Sequence, residues 1–166
     1  MKYIRGTRNL QLILSDNRNV ILKWCVGGYF AVHPNMRGHT GVVISGGRGS
    51  PIFSSIKYKL NTRSSTETDI VRVDDCNTAV LWTIYWLNAQ GYGVFENIVN
   101  QDNKSAIILE NNGKASSSKS KKHITIRYYF VTDHIEKDEL SLEWCPTAHM
   151  IGYFMIKPTQ GAAFNR

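Results

Sequence analysis

Groups able to do chemistry are few and widely set along this chain. Cys25, Cys76 and Cys145 lie far apart, and no pair has the spacing of a zinc or redox motif. His33 and His39, taken with Cys25, fit no compact ligand pattern. The glycine-rich SGGRGS (45–50) lacks the Gly-Lys-Ser/Thr ending of a phosphate loop and reads as a hairpin turn. His149 stands one helical turn before Tyr153, where proton transfer is conceivable, but it reads as an exposed surface histidine. Among the carboxylates, Asp102 ends an apolar strand-like run and Asp69 falls in the first turn of a long helical pattern. On residue type alone they read as a turn aspartate and a charge complementing the helix dipole. Asp74 and Asp75 are adjacent, so they point about 100° apart on a helix and read as solvated. Lys114, Lys119, Lys121, Lys122, His123 and Arg127 form a basic stretch. Such a stretch either contacts nucleic-acid phosphates, in a sequence-independent and salt-sensitive way, or is a solvated serine-lysine loop.

The elements that must position these groups follow from periodicity. LQLIL (10–14) and VILKWCV (20–26) are short apolar runs separated by the turn composition SDNRN. GVVIS (41–45) and PIFSSIKY (51–58) flank the glycine turn and predict a hairpin. The period then changes. Ile70, Val73, Val80, Ile84 and Leu87 form one stripe of a helix over 66–89, with Ser65 as its cap and Glu67 in its first turn. Trp82, Tyr85 and Trp86 are expected in or beside the core. VFENIVNQD (94–102) reads as a strand, and NKSAIILE after it as a helix. Ile124, Tyr128, Val131 and Ile135 mark another helix, and LSLEW (140–144) a strand with Leu140, Leu142 and Trp144 on one face. A short helix carrying Ala148, Ile151 and Met155 follows. Hairpin strands followed by helix-separated strands imply an α/β domain, a mixed sheet with helices packed on it.

A chain of 166 residues fits one domain with a real core. Hydrophobic residues make up 42% and charged residues 20%, which argues against disorder. No apolar run reaches the roughly 18–20 residues of a membrane span. The opening MKYIRGTRNL is charged where a secretory leader would be apolar, so an intracellular protein is expected, with no signal to choose between cytoplasmic and nuclear. Net charge is +7, and residues 1–60 hold 9 basic side chains against 1 acidic. That excess favours a polyanionic partner.

Several strings, in order and spacing, point to one family. They are SSTETD (64–69), QDNKSAIILENNGKASS (101–117), KKHITIRYYFVTDHI (121–135) and LSLEWCPTAHMIGYFMIKPTQGA (140–162). FAVHPNMRGHTG (30–41) precedes them. Together they resemble the ribonuclease H domain at the end of copia-type retrotransposon polyproteins. YIRGT (3–7) looks like the segment joining the reverse transcriptase to that domain. The resemblance implies a ribonuclease H-like mixed five-stranded sheet over residues 10–166, with residues 1–9 left from the junction. It implies an RNA–DNA hybrid as partner, no membrane, and a reverse transcriptase neighbour in the intact polyprotein. It also implies Mg2+, because this family cuts RNA with two ions roughly 3.5–4 Å apart held by four carboxylates.

Carried over position by position, the resemblance finds two of those carboxylates missing. The first falls on Gly27, and no acidic residue occurs between Asn17 and Thr66. The second falls on Asp69, an aspartate where the family has a glutamate. The third is Asp102. The fourth falls on Tyr153, a neutral side chain near pH 7. Lys157 keeps its place, and Ile156 stands where a threonine is usual. Asp69 and Asp102 are therefore the catalytic and metal-binding candidates. Lys119, Lys121, Lys122, His123 and Arg127 are the nucleic-acid-binding candidates. The expectation is an impaired ribonuclease H, or alternatively a module that binds a hybrid without cutting it.

Overall fold

The computed structural model describes residues 8–9, 13, 15–16, 20–59, 61–112 and 122–156. Its elements in chain order are β1 (Ser15–Asp16), β2 (Val20–Tyr29), β3 (His39–Ser45), β4 (Gly47–Arg48), β5 (Ile52–Lys57), α1 (Ser65–Ala89), β6 (Val94–Gln101), α2 (Lys104–Asn112), α3 (Lys122–Glu136) and β7 (Ser141–Trp144). Two 3-10 turns, Thr147–His149 and Ile151–Met155, close the described chain. Five strands form one sheet in the order β5–β3–β2–β6–β7. β2, β3 and β5 pair antiparallel, whereas β6 runs parallel to β2, and β7 parallel to β6. This is the mixed five-stranded sheet expected from the sequence. β1 and β4 form a separate two-residue pair.

The helical stripe is the reason α1 sits where it does. Ile70, Val73, Val80 and Ile84 are buried, and α1 packs across β2 onto Leu22, Trp24, Val26, Ile44 and Val99. Apolar side chains from the central strands and one helix face thus leave water together, which is the main favourable term in folding. Trp24 Nε1 donates to Asn97 Oδ1 at 2.9 Å, so the largest core side chain leaves no polar atom unpaired. The cap of α1 is Ser64 rather than Ser65: its hydroxyl accepts from Glu67 N at 3.1 Å. Glu67 returns the bond by accepting from Arg63 N at 2.9 Å, a reciprocal arrangement one residue longer than a capping box.

Some expectations fail for physical reasons. Trp82, Tyr85 and Trp86 are 60%, 52% and 49% exposed, so none lies in the core; Trp82 and Trp86 lie beside it, along a groove shared with Leu22 and Ile44. Trp86 lies two residues past Ile84, about 200° around the helix, and it stacks on Trp82 in solvent. Trp144 is also half-exposed; its indole donates to Asp102 O at 3.2 Å and lies under the Lys104 ammonium. The closing helix is instead the pair of 3-10 turns. The 10–14 strand falls almost wholly outside the described residues, and Ile13 is exposed.

The second 3-10 turn rests on the sheet where three glycines meet, its own Gly152 against Gly27 and Gly41. Gly27 and Gly41 are paired across β2 and β3. A Cβ on Gly152 would stand 2.6 Å from Cys25 O and 2.8 Å from Gly27 N, both backbone atoms. Only backbone without side chains permits so close an approach.

Candidate functional site

The start of α1, the end of β6 and the closing 3-10 turn converge at one end of the central strands. A cleft of about 390 Å³ opens there, lined in part by Gly28, Asp69, Asp102, Asn103, Lys104 and Tyr153. Asp69 arrives on the helix that Ser64 starts. Asp102 arrives because β6 ends at Gln101, the next residue back. Asn103 caps α2, accepting from Ser105 N and Ala106 N at 3.0 and 3.2 Å. Thus three element ends supply the groups, and the central strand β2 supplies only glycine.

The two carboxylates share one cation. Arg72 Nη2 lies 2.9 Å from Asp102 Oδ1 and 3.3 Å from Asp69 Oδ1. The remaining oxygens are also taken. Asn103 Nδ2 donates to Asp69 Oδ2 at 2.5 Å, and the Tyr153 hydroxyl donates to Asp102 Oδ2 at 2.6 Å. Thr147 adds a third donor to Asp102 at 3.2 Å. Arg72 has no exposed surface, which arginine tolerates only when paired.

The electrostatics follow. Burial acts to raise Asp102, but the Tyr153 hydrogen bond and the Arg72 charge outweigh it and hold the carboxyl below its ordinary range. Burial dominates at Asp69 and raises it, against the pull of Arg72 and Asn103. Tyr153 is pushed up to about 12 by burial and by its bond to Asp102, so it stays a neutral donor. Removing that donor has a predictable cost. Tyr153→Phe should lower stability by about 1.5–3 kcal/mol at neutral pH, the worth of a hydrogen bond to a charged group. A depressed aspartate stabilises above its unfolded pKa, and the gain fades as pH falls through the folded value. The difference between wild type and variant, read by urea unfolding, should therefore shrink in acid.

The structure brings together three of the four positions that sequence reading singled out in pairs. Asp69, Asp102 and Tyr153 line one cleft, and Gly27 touches the Gly152–Tyr153 backbone on the opposite side of β2 from Gly28. Lys114, Lys119 and Lys121 lie outside the described residues. Lys122, His123 and Arg127 fall in α3, where only their backbone is described. His149 is exposed, as is Asp75, while Asp74 is half-buried. His33 and His39 bond to each other at 3.0 Å, apart from Cys25. Among the described residues, no three His, Cys, Asp or Glu side chains gather as a metal site.

Sequence reading missed Arg72, Asn103 and Glu110. The Asp69–Arg72 spacing of three was the available signal for the first, since residues three apart share a helix face. Glu110 is fully buried and neither of its carboxyl oxygens has a hydrogen-bond partner. Burial pushes its carboxyl well above the ordinary range. A raised glutamate destabilises as pH climbs from the unfolded pKa toward the folded one, because folding must take up a proton there. Glu110→Gln should remove that slope, up to ~1.4 kcal/mol per pH unit, and raise stability at neutral pH in chemical denaturation.

Comparison with solved structures places this fold. LC11-RNase H1, isolated from compost by a metagenomic approach, superposes with a TM-score of 0.56 at 13% identity, covering 77% of this chain and 86% of that one. The same enzyme in complex with an RNA/DNA hybrid gives 0.53 at 13% identity, over 78% and 88% of the two chains. The PFV RNase H domain gives 0.52 at 12% identity, over 78% and 81%. No protein-family model matches the chain. The fold is that of ribonuclease H. Among the described residues no helix is long and apolar enough to cross a membrane.

Proposed function

We propose that this chain is a copia-type retroelement ribonuclease H-like domain that has lost hydrolysis and keeps an affinity for RNA–DNA hybrids. In the intact polyprotein it would follow the reverse transcriptase, with residues 1–9 from the junction and 10–166 as the domain. The ordered strings and the ribonuclease H fold support the family. One observation carries the loss of activity: every carboxylate oxygen of Asp69 and Asp102 is already engaged, three of them accepting hydrogen bonds and Asp69 Oδ1 ion-paired with Arg72 at 3.3 Å. The two remaining positions of the family's metal set are Gly27, which has no side chain, and Tyr153, which spends its hydroxyl on Asp102.

The family's activity requires Mg2+, an ion that demands near-octahedral oxygen ligation at about 2.0–2.1 Å. The residues present do not fit it. Two carboxylates with occupied oxygens, next to a buried guanidinium, offer neither the ligand count nor the negative charge. Hybrid affinity would instead come from Lys104 at the cleft and from the basic stretch Lys119, Lys121, Lys122, His123 and Arg127. Contacts of this kind go to the backbone of an A-form-like duplex and weaken steeply with salt.

The test pairs binding with cleavage of an end-labelled RNA–DNA hybrid in Mg2+ and in Mn2+. The wild-type chain should bind at low salt and leave the hybrid intact. Because Gly28 lines the cleft while a Cβ on Gly27 would meet Gly152 C at 3.1 Å on the far face of β2, a variant carrying Gly28→Asp, Asp69→Glu, Tyr153→Asp and Arg72→Ala should cut. Cleavage by the wild type that Asp102→Asn abolishes would overturn the loss of activity. Absence of binding even at low salt would overturn the hybrid affinity.

A further inference from the structure

We infer that the Arg72 guanidinium is the resident cation of this cleft, a built-in substitute for a bound metal, so that the Asp69–Asp102 pair takes up no divalent ion. This rests on reading the cleft as a ribonuclease H-type carboxylate site, and it adds a cause to the lost ligands.

Two carboxylates brought together repel unless a cation lies between them. Here one does. A single guanidinium nitrogen bridges Asp69 Oδ1 and Asp102 Oδ1, at 3.3 and 2.9 Å, with the arginine side chain 1% exposed. The backbone makes room for it. A Cβ on Gly28 would stand 3.0 Å from Arg72 Cδ and 3.1 Å from Arg72 Nη1, so the glycine opens the slot through which the side chain reaches the site. Tyr58 closes the other side of that slot, with its hydroxyl 3.2 Å from the same Cβ position and donating to Thr68 O at 3.0 Å.

The outer oxygens are closed off as well. Asn103 and Tyr153 are held by their own elements, the start of α2 and the turn lying on the glycines. A divalent ion would have to displace both donors and then sit beside a guanidinium that no solvent screens. Arginine cannot relieve that repulsion by deprotonating. The site is therefore filled by a covalently attached monovalent cation with fixed directionality.

The experiment uses the full chain and Mn2+ alone, without nucleic acid. In the wild type, Mn2+ should leave the amide and guanidinium signals of Asp69, Arg72, Asp102 and Asn103 unbroadened in 15N–1H spectra. The thermal midpoint should be the same in Mn2+ as in chelator. In Arg72→Gln the midpoint should fall in chelator and recover in Mn2+, with affinity about tenfold or more above wild type, and Asp102→Asn in that background should abolish the recovery. Broadening of the four wild-type signals by Mn2+ would sink the inference. So would a folded Arg72→Gln protein with no gain in Mn2+ response. Should Arg72→Gln not fold, the wild-type spectra decide alone. Because no hybrid is present, a failure of hybrid binding leaves this result standing and removes only the functional reading.

Discussion

Asp102→Ala should destabilise the protein by about 3–5 kcal/mol, the cost of leaving a buried charge without its better partner. Arg72 would then keep only Asp69, at 3.3 Å, while two of its own nitrogens, Nε and Nη1, already lack hydrogen-bond partners. The loss is larger than the one expected for Tyr153→Phe, because that variant leaves the ion pair intact. Urea unfolding across a double-mutant cycle separates the terms. If the charge is the cause, Arg72→Met should cost far less in the Asp69→Asn, Asp102→Asn background than in the wild type. A cost below about 1 kcal/mol for Asp102→Ala would mean that Arg72 is held by its packing and not by its counter-charges.

Gly152→Val should be nearly as damaging, for a steric reason. Its Cβ would meet Cys25 O at 2.6 Å, Gly27 N at 2.8 Å and Gly41 O at 3.0 Å. All three are backbone atoms of the central sheet, so no side chain can swing away. The turn must lift, and Tyr153 leaves Asp102 as it does. Overpacking of this kind costs about 1–3 kcal/mol, to which the lost hydrogen bond adds. For a chain of this length each kcal/mol lowers the melting temperature by about 2–4 °C. A fall of about 10 °C by circular dichroism, with the Asp102 neighbourhood shifted in NMR spectra, is the expected result. An unchanged melting temperature would mean that the turn is not seated on the glycines.

The fold was largely legible because its signals are local. The stripe of α1, the hairpin glycines and the strand-then-helix alternation each lie within one short window. The meeting of Asp69 and Asp102 was legible only through the resemblance, since neither residue alone differs from an ordinary cap or turn aspartate. What escaped depends on contacts between distant segments. Nothing local marks Arg72 as buried; its burial depends on Gly28 standing opposite it. Trp82 and Trp86 drew attention by size, whereas their angular position on the helix, off the stripe, decides their exposure. Trp144 follows the alternation of Leu140 and Leu142 but belongs to the strand's end, where it finds Lys104 and the Asp102 carbonyl instead of the core.

The stretch from Cys145 to Gly152 has the appearance of a loop, and loops ordinarily absorb insertions and deletions. This one has no slack. Its front end is tied to β6, where Cys145 N donates to Gln101 O at 2.9 Å, and its far end rests on bare backbone at Gly27 and Gly41. Between those moorings and just past the second, it must also deliver the hydroxyls of Thr147 and Tyr153 to a single oxygen. It is a strut of fixed length: one residue more or fewer would change which side chain faces Asp102, even with every residue of the sheet unchanged.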